Sequence, residues 1–146
     1  MPFQPLKQWK CDACGKLIEN ISDGWFECEY DGSHVCDFRI IHQSCQSGAR
    51  RNLSDSPLEH FIGELGMIQM LGMVDHGKYL SPEYKGPKVK DFREWSEMFR
   101  RLFVPHYEEA RLYFDKAVSD GFFDTMNELN YFQQDTLKQI IERYAE

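Results

Sequence analysis

Long apolar runs are absent from this sequence, and their absence argues against a membrane-spanning helix. The longest apolar stretch, residues 61–74, is interrupted by Glu64, Gln69 and several glycines, so it is too short and too polar to cross a bilayer. A basic and then apolar leader is also missing from residues 1–4. We therefore predict a protein that has no membrane partner.

The sequence also lacks the common nucleotide and nucleophile motifs. It contains no G-x-x-x-x-G-K-[ST] loop, no G-x-G-x-x-G turn and no G-x-S-x-G elbow. Positive charge is scarce as well, with 17 Lys and Arg against 24 Asp and Glu and a net charge of −7. A general affinity for nucleic acid or anionic membrane requires clustered Lys and Arg. The missing motifs argue against an enzyme of those classes, and the scarcity of positive charge argues against general binding of polyanions.

Apolar residues are nevertheless plentiful enough for a core. They make up 42% of the 146 residues, and aromatic residues make up 14%. This length suits one ordinary domain, or a small metal-binding module followed by a helical domain. We predict the second arrangement, with an α+β fold, a module over residues 1–50 and a helical domain over residues 55–146.

The metal-binding module is predicted from two short motifs, Cys11-Asp-Ala-Cys14-Gly15 and His42-Gln-Ser-Cys45. Two thiolates on a tight turn, together with an imidazole and a thiolate at i and i+3, make a set of four ligands. Zinc favours closed tetrahedral coordination by nitrogen and sulfur. A site closed by four protein ligands is structural, and thiols used for metal fit a reducing compartment. We therefore predict a structural zinc in a cytoplasmic protein.

The residues between the two motifs read as a β-hairpin. Residues 25–30 and 34–41 are aromatic, β-branched and partly alternating, and residues 31–33 form a turn with Gly32 at its centre. A hairpin centred there places Cys28 opposite Cys36 on a mostly apolar face. We expect both cysteines to be small core residues.

This segment resembles a treble-clef zinc finger, and in the identity and order of its ligands it resembles the first finger of a LIM domain. The resemblance covers residues 11–48, a quarter of the chain. It implies a knuckle, a hairpin and a short helix starting near His42, and it suggests binding to protein partners by analogy only. A full LIM domain would need a second set of four ligands, which does not follow.

Several alternatives stay open at this point. Cys28 or Cys36 could replace His42 as a ligand. HNH nucleases share the treble clef, but they need further histidines around an open metal. Cys11 and Cys14 could form a redox pair, although the strand and helix of a thioredoxin-like context are missing.

Two histidine–carboxylate pairs at helical spacing are a further alternative. His60 with Glu64, and His106 with Glu109, could bind metal or act as acid and base. Neither pair has a third partner that the sequence identifies. We therefore predict a non-enzymatic protein rather than an enzyme.

The remainder of the chain is predicted to contain three to five helices. After a polar linker at residues 50–56, one helix should start at Pro57 and carry an apolar stripe that includes Leu65, Ile68 and Leu71. A loop at residues 76–90 precedes a helix that begins near Asp91. A further stripe ends at Gly121, and a last helix is capped by Asp135.

The only basic cluster lies at residues 85–101, in a stretch (85–106) with six Lys or Arg against three acids. Its candidate phosphate contacts are Lys88, Lys90, Arg93, Arg100 and Arg101. We predict first a zinc-stabilised interaction module, an adaptor, regulator or inhibitor that acts on another protein. The alternative is a nucleic-acid-binding regulator that uses this basic segment.

Overall fold

A computed structural model of the protein describes residues 3–46 and 53–146. Its strands are β1 (Trp9–Lys10), β2 (Leu17–Ile18), β3 (Gly24–Tyr30), β4 (Val35–His42) and β5 (Leu53–Pro57). Its α-helices are α1 (Gly63–Gly72), α2 (Phe92–Phe103), α3 (Tyr107–Ala110), α4 (Phe114–Ser119) and α5 (Gln134–Tyr144). Short 3-10 turns cover Ile21–Asp23, Gln43–Cys45, Leu58–Phe61, Arg111–Tyr113 and Glu128–Asn130. The predicted α+β class is confirmed.

The β-hairpin follows the prediction closely. β3 and β4 pair antiparallel around a turn in which the Asp31 carboxylate accepts hydrogen bonds from the backbone of Ser33 and His34. A bulge shifts the register, so that Glu29 and not Cys28 lies opposite Cys36. The predicted pairing of the two cysteines is therefore wrong by one residue. Both cysteines are buried, as expected of small core residues.

The polar segment before Pro57 is a strand and not the predicted linker. β5 pairs antiparallel with β3 and forms the edge of a sheet with strand order β4-β3-β5. Pro57 ends this strand, at a sheet edge that tolerates a residue without an N–H, and is followed by the 3-10 turn Leu58–Phe61, so the α-helix begins at Gly63 and not at the predicted Pro57. The predicted boundary near residue 50 falls among residues 47–52, outside the described part of the chain. The division into residues 1–50 and 55–146 stays a prediction.

Helix α1 turns the opposite face to the core from the one predicted. Gly66 and Met70 are buried, whereas Leu65, Ile68 and Leu71 of the predicted stripe are exposed. A Cβ atom on Gly66 would lie 2.2 Å from the carbonyl carbon of Phe61. The glycine therefore lets this side of the helix approach the preceding 3-10 turn closely, which leaves the leucine side facing out.

The later helices agree better with the prediction. α2 begins at Phe92, and the Asp91 side chain caps it by accepting a hydrogen bond from the backbone of Arg93. α3 and α4 are separated by a 3-10 turn, and Gly121 follows them with a positive φ of 75°. α5 is preceded by Gln133 as its cap residue, so the predicted cap at Asp135 is wrong.

The buried apolar residues form two clusters. The first includes Trp9, Ile18, Phe26, Leu58 and Leu102, and so joins both small sheets to α2. The second lies among α3, α4 and α5. Among the described residues, no helix has both the length and the apolar character that a bilayer-spanning segment needs.

Candidate metal centre

The structure brings the four predicted ligands together. One donor atom from each of Cys11, Cys14, His42 and Cys45 lies within 4.8 Å of the others, close enough to hold a metal ion. Cys11 and Cys14 lie on the turn between β1 and β2. His42 ends β4, and Cys45 ends the 3-10 turn that follows it. A β1–β2 hairpin and the end of the longer hairpin therefore build the site.

Backbone groups around Cys11 stabilise its thiolate. The N–H groups of Ala13 and Cys14 lie 3.4 Å from its sulfur, and that of His42 lies 3.3 Å away. Burial acts to raise the pKa of this thiol, but the N–H groups of Cys14, His42 and Ala13 outweigh it and lower the pKa to about 6. Cys11 is therefore largely ionised near neutral pH, as a metal ligand must be.

The second ring nitrogen of His42 is held by the chain. Nε2 lies 3.2 Å from the carbonyl oxygen of Leu17, an acceptor, so Nε2 carries the proton and donates it to this oxygen. Nδ1 then carries no proton, so its lone pair is available to bind a metal ion, and Nδ1 lies 3.4 Å from the sulfur of Cys14. A metal-binding histidine is commonly oriented by such a bond to a carbonyl. The end of β4 thus supplies the ligand, and β2 supplies the carbonyl group that orients it.

The remaining two ligands complete a compact sulfur-rich set. Cys14 is exposed and Cys45 is half-buried. Burial, and then the neighbouring sulfurs of Cys11 and Cys14, raise the pKa of the Cys45 thiol. Thiols that crowd one another in this way are stabilised as thiolates by a cation placed between them. The donor set fits a soft or borderline metal with tetrahedral geometry.

A buried ionic network beside the site was missed by the sequence analysis. Arg101 is only 5% exposed and donates to Glu108 at 2.8 and 2.9 Å and to Asp12 at 2.8 Å. Arg111 donates to Glu108 as well. Asp12 lies between the two knuckle cysteines, and its carboxylate also accepts from the backbone of Ile40. The network thus connects the metal-binding turn to α2 and α3.

Arg101, one of the predicted phosphate contacts, is buried in this network and paired with Glu108 and Asp12. Its pKa is raised because the Coulomb attraction and hydrogen bonds of Glu108 and Asp12 outweigh burial, so its charge is already balanced inside the protein. Glu108 is itself buried in this pair.

The other four basic residues have more accessible side chains. Lys88, Lys90 and Arg93 are exposed, and Arg100 is half-buried. Lys90 forms an ion pair with Asp31 at 3.8 Å, and the guanidinium carbon of Arg100 lies 4.6 Å from the ring centroid of Phe132. The nucleic-acid contact stays a prediction for these four residues.

The alternative ligands and acid–base pairs take other positions. Cys36 groups with Glu29 and Asp37, away from the four-ligand cluster. His60 bonds to the hydroxyl of Ser56 at 2.7 Å. Trp9, just before the metal-binding turn, is fully buried and donates from its indole N–H to the carbonyl oxygen of Arg101 at 2.9 Å.

Comparisons of the chain with protein-family models, with curated proteins and with solved structures found no match.

Proposed function

We propose that the four-ligand cluster holds a zinc ion with a structural role. Three sulfurs and one nitrogen complete a tetrahedral set, which leaves no open position for a water or a substrate. The two hairpins are compatible with a treble clef, although the short helix predicted from His42 is a single 3-10 turn that ends at Cys45, because Gln46 leaves the helical region with φ −53° and ψ 137°. Bound zinc would supply folding free energy to this part of the chain.

We propose further that the protein is a non-enzymatic module that binds another protein through α1. The observation that carries this proposal is the exposed apolar face of that helix. Leu65, Met67, Ile68 and Leu71 are 47%, 43%, 61% and 55% exposed. At 100° per residue, these four side chains span about 160° of the helix surface.

This face is suited to a protein surface because of its shape and chemistry. Side chains at i, i+3 and i+6 form a ridge, here Leu65, Ile68 and Leu71, that fits an apolar groove or another helix. Contiguous exposed apolar patches on soluble proteins commonly mark interaction sites. Gly66 and Met70 pack the other side of the helix on the core, so the ridge is presented by a fixed element. The occupant we propose is an apolar groove or helix of a different protein.

The experiment is affinity capture from the native host with the tagged wild-type chain and two variants. Ile68→Glu places a charge at the centre of the ridge, and Leu129→Glu places one on an exposed leucine outside α1. A partner retained by wild type and Leu129→Glu and lost by Ile68→Glu, and then reconstituted from purified components, supports the proposal.

Two results would overturn it. In one, the partner is retained by Ile68→Glu. In the other, sedimentation shows a wild-type dimer that Ile68→Glu converts to a monomer, in which case a second copy of the chain covers the face. Zinc content measured on all three proteins separates loss of the interface from loss of the metal site.

A further inference from the structure

Four aromatic side chains near the end of the chain surround a pocket that none of the features above uses. Phe114 belongs to α4, Phe123 follows Gly121, and Tyr131 and Phe132 precede α5. Val118 completes the lining. All four rings are half-buried, so each presents part of its surface to the opening.

The rings form a closed circuit. Centroid distances are 6.3 Å from Phe114 to Phe123, 5.2 Å from Phe123 to Tyr131, 6.3 Å from Tyr131 to Phe132 and 5.9 Å from Phe132 back to Phe114. Three of these four pairs meet at 71–80°, and the fourth meets at 38°. The rings therefore stand as walls around a space and do not stack on one another.

The charge around the pocket favours a cation. Residues 107–146 contain nine Asp or Glu and four Lys or Arg. Asp115 and Asp124 directly follow two of the wall residues and are exposed. Rings of this aromatic cluster already contact cations, since Arg143 lies 6.0 Å from the centroid of Phe122 and Arg100 lies 4.6 Å over Phe132; the charge of Arg100 at that wall leaves Phe114, Phe123 and Tyr131 as the rings for a further cation. An aromatic ring attracts a cation through the negative potential of its face.

We propose that this aromatic pocket binds a trimethylammonium group. Of the five lining side chains, only Tyr131 carries a polar atom. A primary ammonium or a guanidinium would bring several N–H groups to walls that offer them few acceptors, which is costly. A trimethylammonium group has no N–H to satisfy, and its methyl groups contact ring faces directly. The inference uses no residue of α1 or of the metal centre, so it does not depend on the function proposed above.

The test is an NMR titration of the zinc-loaded protein with choline and with 3,3-dimethyl-1-butanol, which has the same shape without the charge. We expect choline to bind about 2- to 30-fold more tightly than the alcohol, which corresponds to a cation–π contribution of roughly 0.5–2 kcal/mol. The resonances that shift should be those of the pocket residues.

Variants locate the site. Phe123→Leu keeps an apolar wall but removes one ring face, and it should bring the roughly 2- to 30-fold preference for choline over the alcohol closer to one while leaving the affinity for the alcohol little changed. Phe92→Leu, on the exposed end of α2, is the matched control and should bind choline as wild type does. If Phe123→Leu does not fold, Tyr131→Leu serves the same purpose.

Equal affinity for the alcohol and choline, or shifts that fall outside the pocket, would overturn the proposal. A peptide that contains trimethyllysine, compared with its unmodified lysine counterpart, identifies the source of the group. Tighter binding of the methylated peptide than of choline assigns the ammonium to a protein, whereas no gain over choline assigns it to a small molecule.

Discussion

Both ring nitrogens of His42 have a partner in the structure. Its Nε2–H is committed to the Leu17 carbonyl, so that Nδ1 faces the sulfur of Cys14. Cys11 is held by three backbone N–H groups. A side chain fixed by its surroundings in this way loses little freedom when a metal binds, and the metal-binding geometry is largely pre-organised.

Removing a ligand should abolish metal binding, whereas removing a core cysteine should not. We expect one zinc per chain in the wild type and in Cys28→Ala, and little or none in Cys11→Ser and Cys45→Ser. Cys28 is buried outside the four-ligand cluster, so it is the matched control. Metal content by mass spectrometry after dialysis is the measurement, and equal zinc in all four proteins would contradict the ligand assignment.

The buried guanidinium of Arg101 gives a second prediction at the residue scale. Arg101→Met should lower the free energy of unfolding by about 3 kcal/mol, because it leaves the carboxylates of Glu108 and Asp12 without their main partner. Urea denaturation measures the change. Arg93→Met, on an exposed position of the same helix, should stay within about 0.5 kcal/mol of wild type.

A double variant distinguishes charge burial from simple loss of packing. Arg101→Met combined with Glu108→Leu removes both partners of the doubly hydrogen-bonded Arg101–Glu108 pair and should recover part of the lost stability. An additive or larger loss in the double variant would mean that the pair is not the origin of the effect.

At the scale of elements, two of the three glycines of α1 are in opposite situations. Gly66 faces Phe61 with no room for a Cβ atom, whereas a Cβ on Gly72 would meet nothing nearer than 3.9 Å. Helix propensity alone favours alanine over glycine by up to about 1 kcal/mol at either position. At Gly66, the contact with Phe61 should make the alanine variant less stable than the glycine protein.

We therefore expect Gly72→Ala to raise the thermal midpoint and Gly66→Ala to lower it. The gain at Gly72 should be about 0.4–1 kcal/mol, and the loss at Gly66 should exceed it, because the helix must move away from the 3-10 turn. Thermal melts of the two single variants at equal zinc content measure this. A stabilising Gly66→Ala would mean that α1 does not pack on Phe61 as described.

Local sequence determines some of these elements and leaves others undecided. The β3–β4 hairpin and the ligand spacing depend on nearby residues, namely a turn with Asp31 and Gly32 and two i, i+3 motifs, and they were predictable. The outward face of α1 depends on which side meets Phe61, a contact that apolar periodicity does not encode. From the sequence alone, Arg101 cannot be distinguished from an exposed basic residue, because Glu108 and Asp12 contact it only in the folded protein.

At the scale of the whole molecule, the metal centre shares its core with more distant parts of the chain. Trp9, next to the knuckle, packs in the same cluster as Leu102 of α2 and Leu58. Asp12 is tied to Arg101. Loss of the metal should therefore lower the stability of the first core as well as that of the β1–β2 hairpin.

Chelation should lower the melting temperature of the first core as a whole. We expect a zinc chelator to shift the main unfolding transition downward, with tryptophan fluorescence reporting Trp9 and Trp95 together, because both pack in or against that cluster. Addition of excess zinc should restore the transition. An unchanged melt after verified removal of zinc would show that the metal is not needed for this fold.

The hydrogen bond from Trp9 to Arg101 also sets an order of events during synthesis. The four ligands are all translated by residue 45, but the carbonyl that accepts the Trp9 indole arrives 56 residues later (101 − 45). At 5–20 residues per second, the ribosome needs about 3–11 seconds to cover that interval. A metal ion bound as proposed would therefore be captured before α1 and α2 are available to complete the first core, and α2 would then dock on a metal-bound knuckle.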